Sequence, residues 1–249
     1  MASGSGTNKR DAIELSDDEE QSCAPLKASK TVLNPDAAAF QPRSSVPKGA
    51  SNLRGVPLPS EWSVQGSSLL VWQYQPAGTP APTGCAKIAC FDFDGCLANT
   101  PLGGNDPKAW TMQYPHVPLV LRELAATGHK IVVVTNESMD RLKKPQAIKA
   151  CVLKKTGRLE AFAAAVGIPM VVLCPTAKDA YRKPGTAAWA FFTNQCNADV
   201  PVDLAASFFV GDAAGRKDDH SDCDLGFARN CGLPFFDEKT FFESKHPPR

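Results

Sequence analysis

The sequence has 249 residues and a formal net charge of +1, which permits one domain of about 200 residues with a tail and excludes a strongly basic nucleic-acid coat protein. Nine scattered cysteines without a CxxC pair are typical of reduced intracellular thiols, so we expect neither a disulfide scaffold nor a structural zinc site. No signal-peptide core opens the chain and no apolar run approaches the roughly 18 residues of a membrane span, so we expect no membrane partner.

Residues 1–55 are rich in Ser, Gly, Ala, Pro and charged residues and contain few aromatic residues. Such a composition buries too little apolar surface to offset the entropy lost on folding, so we predict a disordered N-terminal tail. Within the tail, residues 12–20 (AIELSDDEE) have three interpretations. They are a solvated acidic stretch, a strand-adding peptide that resembles a SUMO-interacting motif, or an acid-directed kinase site at Ser16.

From residue 68 the sequence alternates apolar strand patterns with segments of helical period. The strand patterns are SLLVWQYQ, KIACFDFDG, HKIVVVTN, MVVLCPT and SFFVGDAAG, which begin at residues 68, 87, 129, 170 and 207. The helical patterns are VPLVLRELAATG, residues 141–166 and GTAAWAFFTNQ. This order predicts an α/β domain over residues 65–249, with a doubly wound, mostly parallel sheet covered by helices.

Four of the predicted strands end in, or lead to, polar residues that can carry chemistry. In a doubly wound sheet, ligands bind beyond the carboxyl ends of the strands, near the point where the strand order reverses. We therefore expect one rim of the sheet to gather carboxylates, a hydroxyl and a lysine. In chain order the strand-end residues are Asp92 and Asp94, then Thr135 and Asn136, then Arg182 and Lys183, then Asp212 and an acid-rich loop over residues 218–224.

Clustered carboxylates repel one another unless a cation neutralises them. Hard oxygen ligands suit Mg²⁺, which often binds one or two carboxylates together with substrate phosphate, and Lys183 on the same rim would hold that phosphate. A carboxylate beside Mg²⁺ can attack phosphorus to form an aspartyl-phosphate, while a second carboxylate protonates the leaving oxygen and later activates water. The pair Asp92 and Asp94 therefore predicts Mg²⁺-dependent phosphoryl transfer.

The order DFDG, VVVTN, RKP and FVGD resembles the four motifs of the haloacid dehalogenase superfamily of aspartate-nucleophile phosphatases. A narrower resemblance, over residues from about 65 to 245, is to the phosphatase domain of the polynucleotide kinase 3′-phosphatase family. It is carried by AWTMQYPHVPLVLRELAATGHKIVVVTN, AYRKPGTAAW, FFVGDAAGR and DDHSDCDLGFARNCGLPFF. The resemblance implies a haloacid dehalogenase-like, Rossmann-like fold, and the short spacings between the motifs predict no large cap domain.

The resemblance also implies a role for each residue that matches a family motif. The implied catalytic residues are Asp92 as nucleophile, Asp94 as general acid and base, Thr135 as a phosphate hydrogen-bond donor, and Lys183 as a clamp on phosphate and nucleophile. Mg²⁺ would be bound by Asp92, Asp212 and the main-chain carbonyl of Asp94. Either Asp219 or Asp224 would orient the metal shell, and we favour Asp219.

Two positions and one segment depart from the family pattern. Cys96 stands where threonine is usual, which loses a hydroxyl but keeps the size. Glu137 stands where glutamine is usual and adds a negative charge near a DNA end, and residues 139–144 replace a glycine-rich loop. We expect the chemistry to survive these changes and the preference among substrates to depend on them.

Basic residues near the motifs are candidates for contact with a DNA backbone. Arg141, Lys143 and Lys144 begin a basic run that is either a solvated helix face or a DNA-contacting surface. The candidate substrate-binding residues are Asn136, Arg141, Lys143, Lys144, Arg182 and Arg216. Trp110 and Tyr114 could stack on a base, but core packing is the favoured role for both.

The resemblance implies a monomeric, Mg²⁺-dependent 3′-phosphatase that acts on DNA strand-break ends in the nucleus during single- and double-strand break repair. The 12–20 segment would then bind a repair scaffold or a SUMO-type partner. No GxxxxGK[ST] phosphate loop occurs in the sequence, so we expect no 5′-kinase domain in this chain. Two alternatives remain: a small-molecule phosphatase of the same superfamily, which a large inserted cap would favour, and a non-catalytic DNA-end-binding scaffold, which the intact motif residues oppose.

Overall fold

The computed structural model describes residues 49–80, 83–101 and 103–245. The strands in these ranges are β1 (Asn52–Leu53), β2 (Val56–Pro57), β3 (Ser63–Gln65), β4 (Leu69–Tyr74), β5 (Ile88–Phe91), β6 (Ala98–Asn99), β7 (Thr111–Met112), β8 (Lys130–Val134), β9 (Met170–Pro175), β10 (Phe208–Gly211) and β11 (Phe235–Asp237). The helices are α1 (Val117–Ala126), α2 (Pro145–Val166), α3 (Ala187–Phe191), α4 (Cys223–Cys231) and α5 (Glu238–Lys245), and a π-helical turn over Phe192–Cys196 follows α3.

A seven-stranded sheet in the order β11-β10-β5-β8-β9-β4-β3 forms the centre of the fold. The strands from β11 to β9 are parallel, whereas β4 pairs antiparallel with β9 and β3 pairs antiparallel with β4. Every residue of β5 and β9 is buried, as expected for parallel strands that helices cover on both faces. The predicted α/β class with a doubly wound, mostly parallel sheet is confirmed.

Side chains that alternate along the strands enter two separate apolar layers, one on each face of the sheet. Phe91 and Val133 belong to a layer that includes residues of α1, α2 and α5. Their neighbours Cys90 and Val132 belong to a second layer that includes residues of α3 and α4. Because successive strand residues point to opposite faces, one short apolar strand supplies both layers.

The packed domain begins earlier in the chain than the sequence analysis predicted. The buried apolar side chains of its first segment are Leu53, Val56, Trp62 and Val64. Trp62 stacks on Trp72 with ring centroids 5.3 Å apart, and β3 is an edge strand of the central sheet. The prediction of disorder is therefore wrong for residues 49–55, because strands of two residues leave almost no alternation in a sequence rich in Ser, Gly and Pro. Residues 1–48, with the 12–20 segment, lie outside the described residues.

The connections between the core strands are short. Between β5 and α1 the chain adds only the β6 and β7 hairpin, and between β8 and β9 it forms only α2. The described ranges thus contain no cap domain, as predicted from the motif spacings. Helix α2 begins at Pro145 rather than at residue 141, because Lys144 precedes a proline and takes an extended conformation. Across the same ranges no helix is both long and apolar enough to cross a membrane.

The sheet reverses its direction of winding beside β5. From β5 the chain crosses to β8 and then β9 on one side, and later returns to β10 and β11 on the other. The switch point therefore lies at the carboxyl ends of β5 and β10, which is where ligands bind in sheets of this kind. This placement brings the residues after β5, β8 and β10 to a common opening.

Candidate active site

A cavity of about 850 Å³ opens at this rim of the sheet. The predicted strand-end residues that line it are Asp92, Asp94, Asn136, Arg182, Lys183 and Asp212. Thr135 is buried beside the cavity and donates a hydrogen bond from its hydroxyl to Asp94 Oδ2 at 3.2 Å. Four separate strand ends thus place side chains of opposite charge at one opening, as the sequence predicted.

Lys183 lies buried between two carboxylates. Its Nζ is 2.5 Å from Asp92 Oδ1 and 2.8 Å from Asp224 Oδ1, and its side chain is only 1% exposed. Burial alone would lower the pKa of Lys183, but Asp224 and Asp92 outweigh it and raise that pKa above its ordinary value. The lysine is therefore a fixed positive charge that binds the predicted nucleophile.

Asn136 holds the main chain of Lys183. Its Oδ1 accepts a hydrogen bond from Lys183 N at 3.1 Å, and its Nδ2 donates one to the Lys183 carbonyl at 3.2 Å. The side-chain amide, predicted to bind substrate, is thus already used by a neighbouring loop. Although Asn136 lines the cavity, its contacts position the lysine.

Three carboxylates of the cavity lining form a compact cluster. Asp92, Asp212 and Asp224 each offer an oxygen, and these atoms lie within 4.8 Å of one another. Burial raises the pKa of Asp92 to about 8 although Lys183 opposes the shift, and burial together with Asp224 raises the pKa of Asp212 to about 6. A divalent cation would neutralise this repulsion, and the hard oxygen donors fit Mg²⁺.

The three carboxylates are not equally available to a cation. Asp224 Oδ1 contacts Lys183, and Asp224 Oδ2 accepts a hydrogen bond from the main-chain N–H of Ala213 at 3.1 Å. Asp92 and Asp212 therefore offer the freer oxygens. Asp224 completes the negative charge of the cluster and orients Lys183.

Asp219, favoured in the sequence analysis as a support for the metal, lies outside the cluster. Its carboxylate accepts hydrogen bonds from the main-chain N–H groups of Ala214 and Arg216, both at 3.0 Å, and from the Arg216 guanidinium at 2.9 Å. The assignment to Asp219 is therefore wrong, and Asp224 takes its place. The loop folds back on itself before α4, which an acid-rich sequence does not reveal.

Two glycines let the backbone approach the carboxylates closely. Gly95 has a φ of +84°, and a Cβ atom there would lie 2.5 Å from Asp212 Oδ2. A Cβ atom on Gly211 would likewise overlap the carboxylate of Asp224. The glycines in DFDG and FVGD thus keep free the space that the cluster occupies.

Asp94 turns away from the cluster toward α2. Its Oδ2 contacts the buried ammonium of Lys155, and its Oδ1 accepts a hydrogen bond from the Thr100 hydroxyl at 2.7 Å. Burial alone would raise the pKa of Asp94, but Lys155, Thr100 and Thr135 outweigh it and lower that pKa. The carboxyl group predicted to act as an acid is therefore held ionised, in the form that accepts a proton.

The cations that line the cavity agree only in part with those predicted. The basic residues of the lining are Lys154, Arg158, Lys178, Arg182, Lys183 and His220. Arg141, Lys143 and Lys144 are exposed but do not line the cavity, because they precede the first turn of α2. Of the predicted basic contacts on this side, only Arg182 faces the opening.

Arg216 is also not a cavity residue. Its guanidinium forms ion pairs with Asp219 at 2.9 Å, Glu238 at 3.0 Å and Asp237 at 3.3 Å, and it donates to the Asp212 carbonyl at 2.9 Å. The structure thus gives Arg216 a role in holding the loop and brings it to no side of the cavity, so its role in substrate binding stays a prediction. The arginine ties the loop after β10 to the start of α5.

The remaining departures and aromatic residues have structural explanations. Glu137 pairs with Lys154 at 3.3 Å, so its added charge faces α2. Cys96 is fully buried in the core, where its thiol lies 3.5 Å from a main-chain carbonyl. Trp110 and Tyr114 pack against the core layer of α1 and α2, which confirms the prediction of core packing.

Comparison with known proteins assigns this arrangement to a family. The family model described as polynucleotide kinase 3 phosphatase matches residues 87–242, which is more than half of the chain. The chain belongs to this family. The matched range contains every strand and loop that lines the cavity.

Two curated relatives of this polynucleotide kinase 3 phosphatase domain are informative. Polynucleotide 3′-phosphatase ZDP of Arabidopsis thaliana is 42% identical over 167 residues, which are 63% of this chain and 24% of that protein. The bifunctional polynucleotide phosphatase/kinase of Schizosaccharomyces pombe is 33% identical over 159 residues, which are 63% of this chain and 37% of that protein. The chain thus spans about a quarter to a third of the length of these relatives.

A solved structure described as a putative HAD-like phosphatase from Mesorhizobium loti is also similar. It has 21% sequence identity and a TM-score of 0.49, over 66% of this chain and 76% of that chain.

We expect substitutions of Asp224 and Asp219 to have opposite outcomes for metal binding. Asp224→Asn removes one charge of the cluster and releases Lys183, so it should weaken Mg²⁺ binding roughly tenfold or more. Asp219→Asn keeps an oxygen for the main-chain N–H groups of Ala214 and Arg216 and removes only the charge that faces the Arg216 guanidinium, outside the cluster, so it should change that affinity less than about twofold. Isothermal titration calorimetry with Mg²⁺ measures both, and a larger effect for Asp219→Asn would restore the original assignment.

Proposed function

We propose that the protein is a Mg²⁺-dependent polynucleotide 3′-phosphatase that acts on DNA strand-break ends through an aspartyl-phosphate. The observation that carries the proposal is the contact of Asp92 with Lys183 inside the carboxylate cluster, at the switch point of the sheet. Membership of the polynucleotide kinase 3 phosphatase family supports the substrate class. So does the relative named polynucleotide 3′-phosphatase.

The proposed reaction has two steps. In the first, an oxygen of the Asp92 carboxylate forms a bond to phosphorus as the bond from phosphorus to O3′ breaks, and Asp94 gives a proton to O3′. In the second, water attacks phosphorus, Asp94 accepts the proton of the water, and the bond to Asp92 breaks to release inorganic phosphate. The ionised Asp94 of the structure suits the second step, and the first step requires that Asp94 holds a proton when substrate binds.

The charged residues around Asp92 support this chemistry. Lys183 binds the nucleophile and would also balance the charge of an incoming phosphate. Asp92 and Asp212 would hold Mg²⁺, with Asp224 beside them, and the bound metal would neutralise the cluster and polarise the phosphoryl group. Lowering the repulsion around Asp92 favours the carboxylate form that attacks phosphorus.

The shape and charge of the cavity support a polymer substrate. The described ranges contain no cap domain to close over the opening, so a strand end could enter from solvent. Lys154 and Arg158 on α2, with Lys178 and Arg182 after β9, are cations of the cavity lining, and Glu137 offsets the charge of Lys154. A polyanion gains affinity from such a surface, whereas a small sugar phosphate needs little of it.

We place the reaction in the repair of DNA strand breaks in the nucleus. A 3′-phosphate blocks both strand extension and ligation, and its removal leaves the 3′-hydroxyl that those steps need. Residues 12–20 combine an apolar patch with five acidic residues, and this composition supports a repair scaffold or a SUMO-type protein as the partner.

Phosphate release from a 3′-phosphorylated oligonucleotide tests the proposal. With Mg²⁺ the protein should release phosphate, and with excess EDTA it should release none above a no-enzyme control, because the carboxylate cluster then stays unneutralised. The same assay with glucose 6-phosphate and histidinol phosphate should give kcat/KM values lower by about 10²-fold or more, since neither carries the further phosphates that the cations of the cavity would bind. Higher kcat/KM for a small phosphate would favour the small-molecule alternative, and no turnover of any substrate would favour the scaffold.

A further inference from the structure

Lys155 is a buried cation that no motif accounts for. It lies in the middle of α2, its side chain is 1% exposed, and its ammonium contacts Asp94 Oδ2. The same Nζ donates to the Thr135 hydroxyl at 2.9 Å and lies 3.6 Å from Glu137 Oε2. Burying a lysine is costly unless it is paired and hydrogen-bonded, and Lys155 meets that condition only through residues of the site.

The contacts of Lys155 fix the orientation of the Asp94 carboxylate. Lys155 and Thr135 bind Oδ2, while Thr100 binds Oδ1 from the other side. Both oxygens of Asp94 are thus held, although about a third of its side chain is exposed to the cavity. Without Lys155, rotation of the carboxylate would be limited only by two hydroxyl groups.

Glu137 forms a second ion pair with the Lys155 ammonium. Its Oε2 faces Lys155, and its Oε1 pairs with Lys154 on the next position of α2 at 3.3 Å. The Phe93 ring adds a cation–π contact, with its centroid 5.4 Å from Nζ. Lys155 is therefore held in place by groups other than Asp94, which lets it act as a fixed reference for that side chain.

We propose that Lys155 is a positioning residue for proton transfer, which holds the Asp94 carboxylate in the orientation needed to exchange a proton with O3′ and with the attacking water. The inference rests on the proposed function. It adds to the reaction a residue on α2 that lies outside the four strand-end motifs. Lys155 itself touches neither Asp92 nor the carboxylate cluster among the contacts described above.

The test compares Lys155→Met with wild type on three phosphate monoesters. These are a 3′-phosphorylated oligonucleotide, a nucleoside 3′-monophosphate and an aryl phosphate. The leaving groups of the first two are poorly stabilised alkoxides that need a proton, so Lys155→Met should lower kcat/KM, which reports the first step, by about 10²-fold on both. The leaving oxygen of the aryl phosphate needs no proton, so kcat/KM for that substrate should fall less than about tenfold. Lys149→Met, an exposed lysine on the same helix, should match wild type throughout.

A double-mutant cycle with Asp94→Asn separates positioning from general destabilisation. If Lys155 acts through Asp94, then Lys155→Met should lower kcat less than about threefold further once Asp94 is already asparagine. Lys155→Met alone leaves the Asp94 carboxylate without its cation and could unfold the protein. The Asp94→Asn/Lys155→Met double variant has no carboxylate at position 94, so it provides a folded protein for comparison in that case. Thermal melts of all variants identify loss of fold.

Two results would overturn the inference. One is an equal loss of kcat/KM on the alkyl and aryl phosphates, and the other is a fully additive loss in the cycle. Failure of the wild type on the oligonucleotide alone would contradict the proposed substrate, and the nucleoside and aryl phosphates would still decide the role of Lys155. Failure of the wild type on all three would contradict both proposals.

Discussion

Asp92→Asn should abolish phosphate release from a 3′-phosphorylated oligonucleotide, with kcat lower by at least about 10³-fold. The amide that replaces the carboxylate is a poor nucleophile and cannot form the acyl-phosphate. The fold should survive, because asparagine has nearly the same shape as aspartate. Burial also disfavours the charged form of Asp92 and raises its pKa to about 8, so a neutral amide is tolerated at this position. Phosphate release at saturating substrate measures the effect, and a thermal melt checks the fold.

Asp218→Asn is the matched control for this substitution. The substitution makes the same carboxylate-to-amide change at Asp218, which is exposed and does not line the cavity. It should therefore retain wild-type kcat. Turnover by Asp92→Asn within tenfold of the control would show that another group attacks phosphorus.

Lys183→Met should lower both stability and activity. The substitution leaves the buried carboxylates of Asp92 and Asp224 without the cation that lies between them. Breaking a buried ion pair in this way costs about 3–5 kcal/mol of the free energy of unfolding. For a chain of this size that loss corresponds to a decrease in Tm of roughly 10 °C. Thermal unfolding in EDTA measures the effect without the compensating charge of Mg²⁺.

A second variant distinguishes the electrostatic cause from a packing defect. Lys183→Met/Asp224→Asn removes one of the two unpaired carboxylates, so it should recover part of the lost Tm. It should not recover turnover, because the phosphate and the nucleophile still lack their cation. A Tm for Lys183→Met equal to that of wild type would show that the buried pair contributes nothing to the fold.

The strand-end residues could be predicted because their positions follow from the fold alone. A short apolar run such as that of β5 predicts a buried parallel strand. The residues directly after such a strand must lie at the rim of the sheet. Asp92 and Asp212 needed no further information to be placed together. Lys183 follows a longer loop after its strand, so the strand pattern predicts the rim on which it lies, and the resemblance of RKP to a family motif supplies its role.

The errors concern residues whose position depends on the path of a loop or on the rotation of a helix. Asp219 and Asp224 are equally plausible in an acid-rich segment, and only the turn before α4 buries Asp224 in the cluster. Along α2 the sequence offers a series of lysines and arginines without a clear apolar stripe. The rotation of the helix buries Lys155, turns Lys154 toward the cavity, and leaves Lys149 exposed.

The central claim is that this site removes phosphate from the 3′ end of a polynucleotide. The most direct measurement uses one DNA oligonucleotide that carries a phosphate on both ends, incubated with the protein and Mg²⁺ and then analysed by mass spectrometry with fragmentation. We expect loss of the 3′-phosphate with the 5′-phosphate retained, and no loss with Asp92→Asn. Removal of the 5′-phosphate first, or an oligonucleotide that keeps both phosphates while the protein hydrolyses a sugar phosphate, would contradict the account.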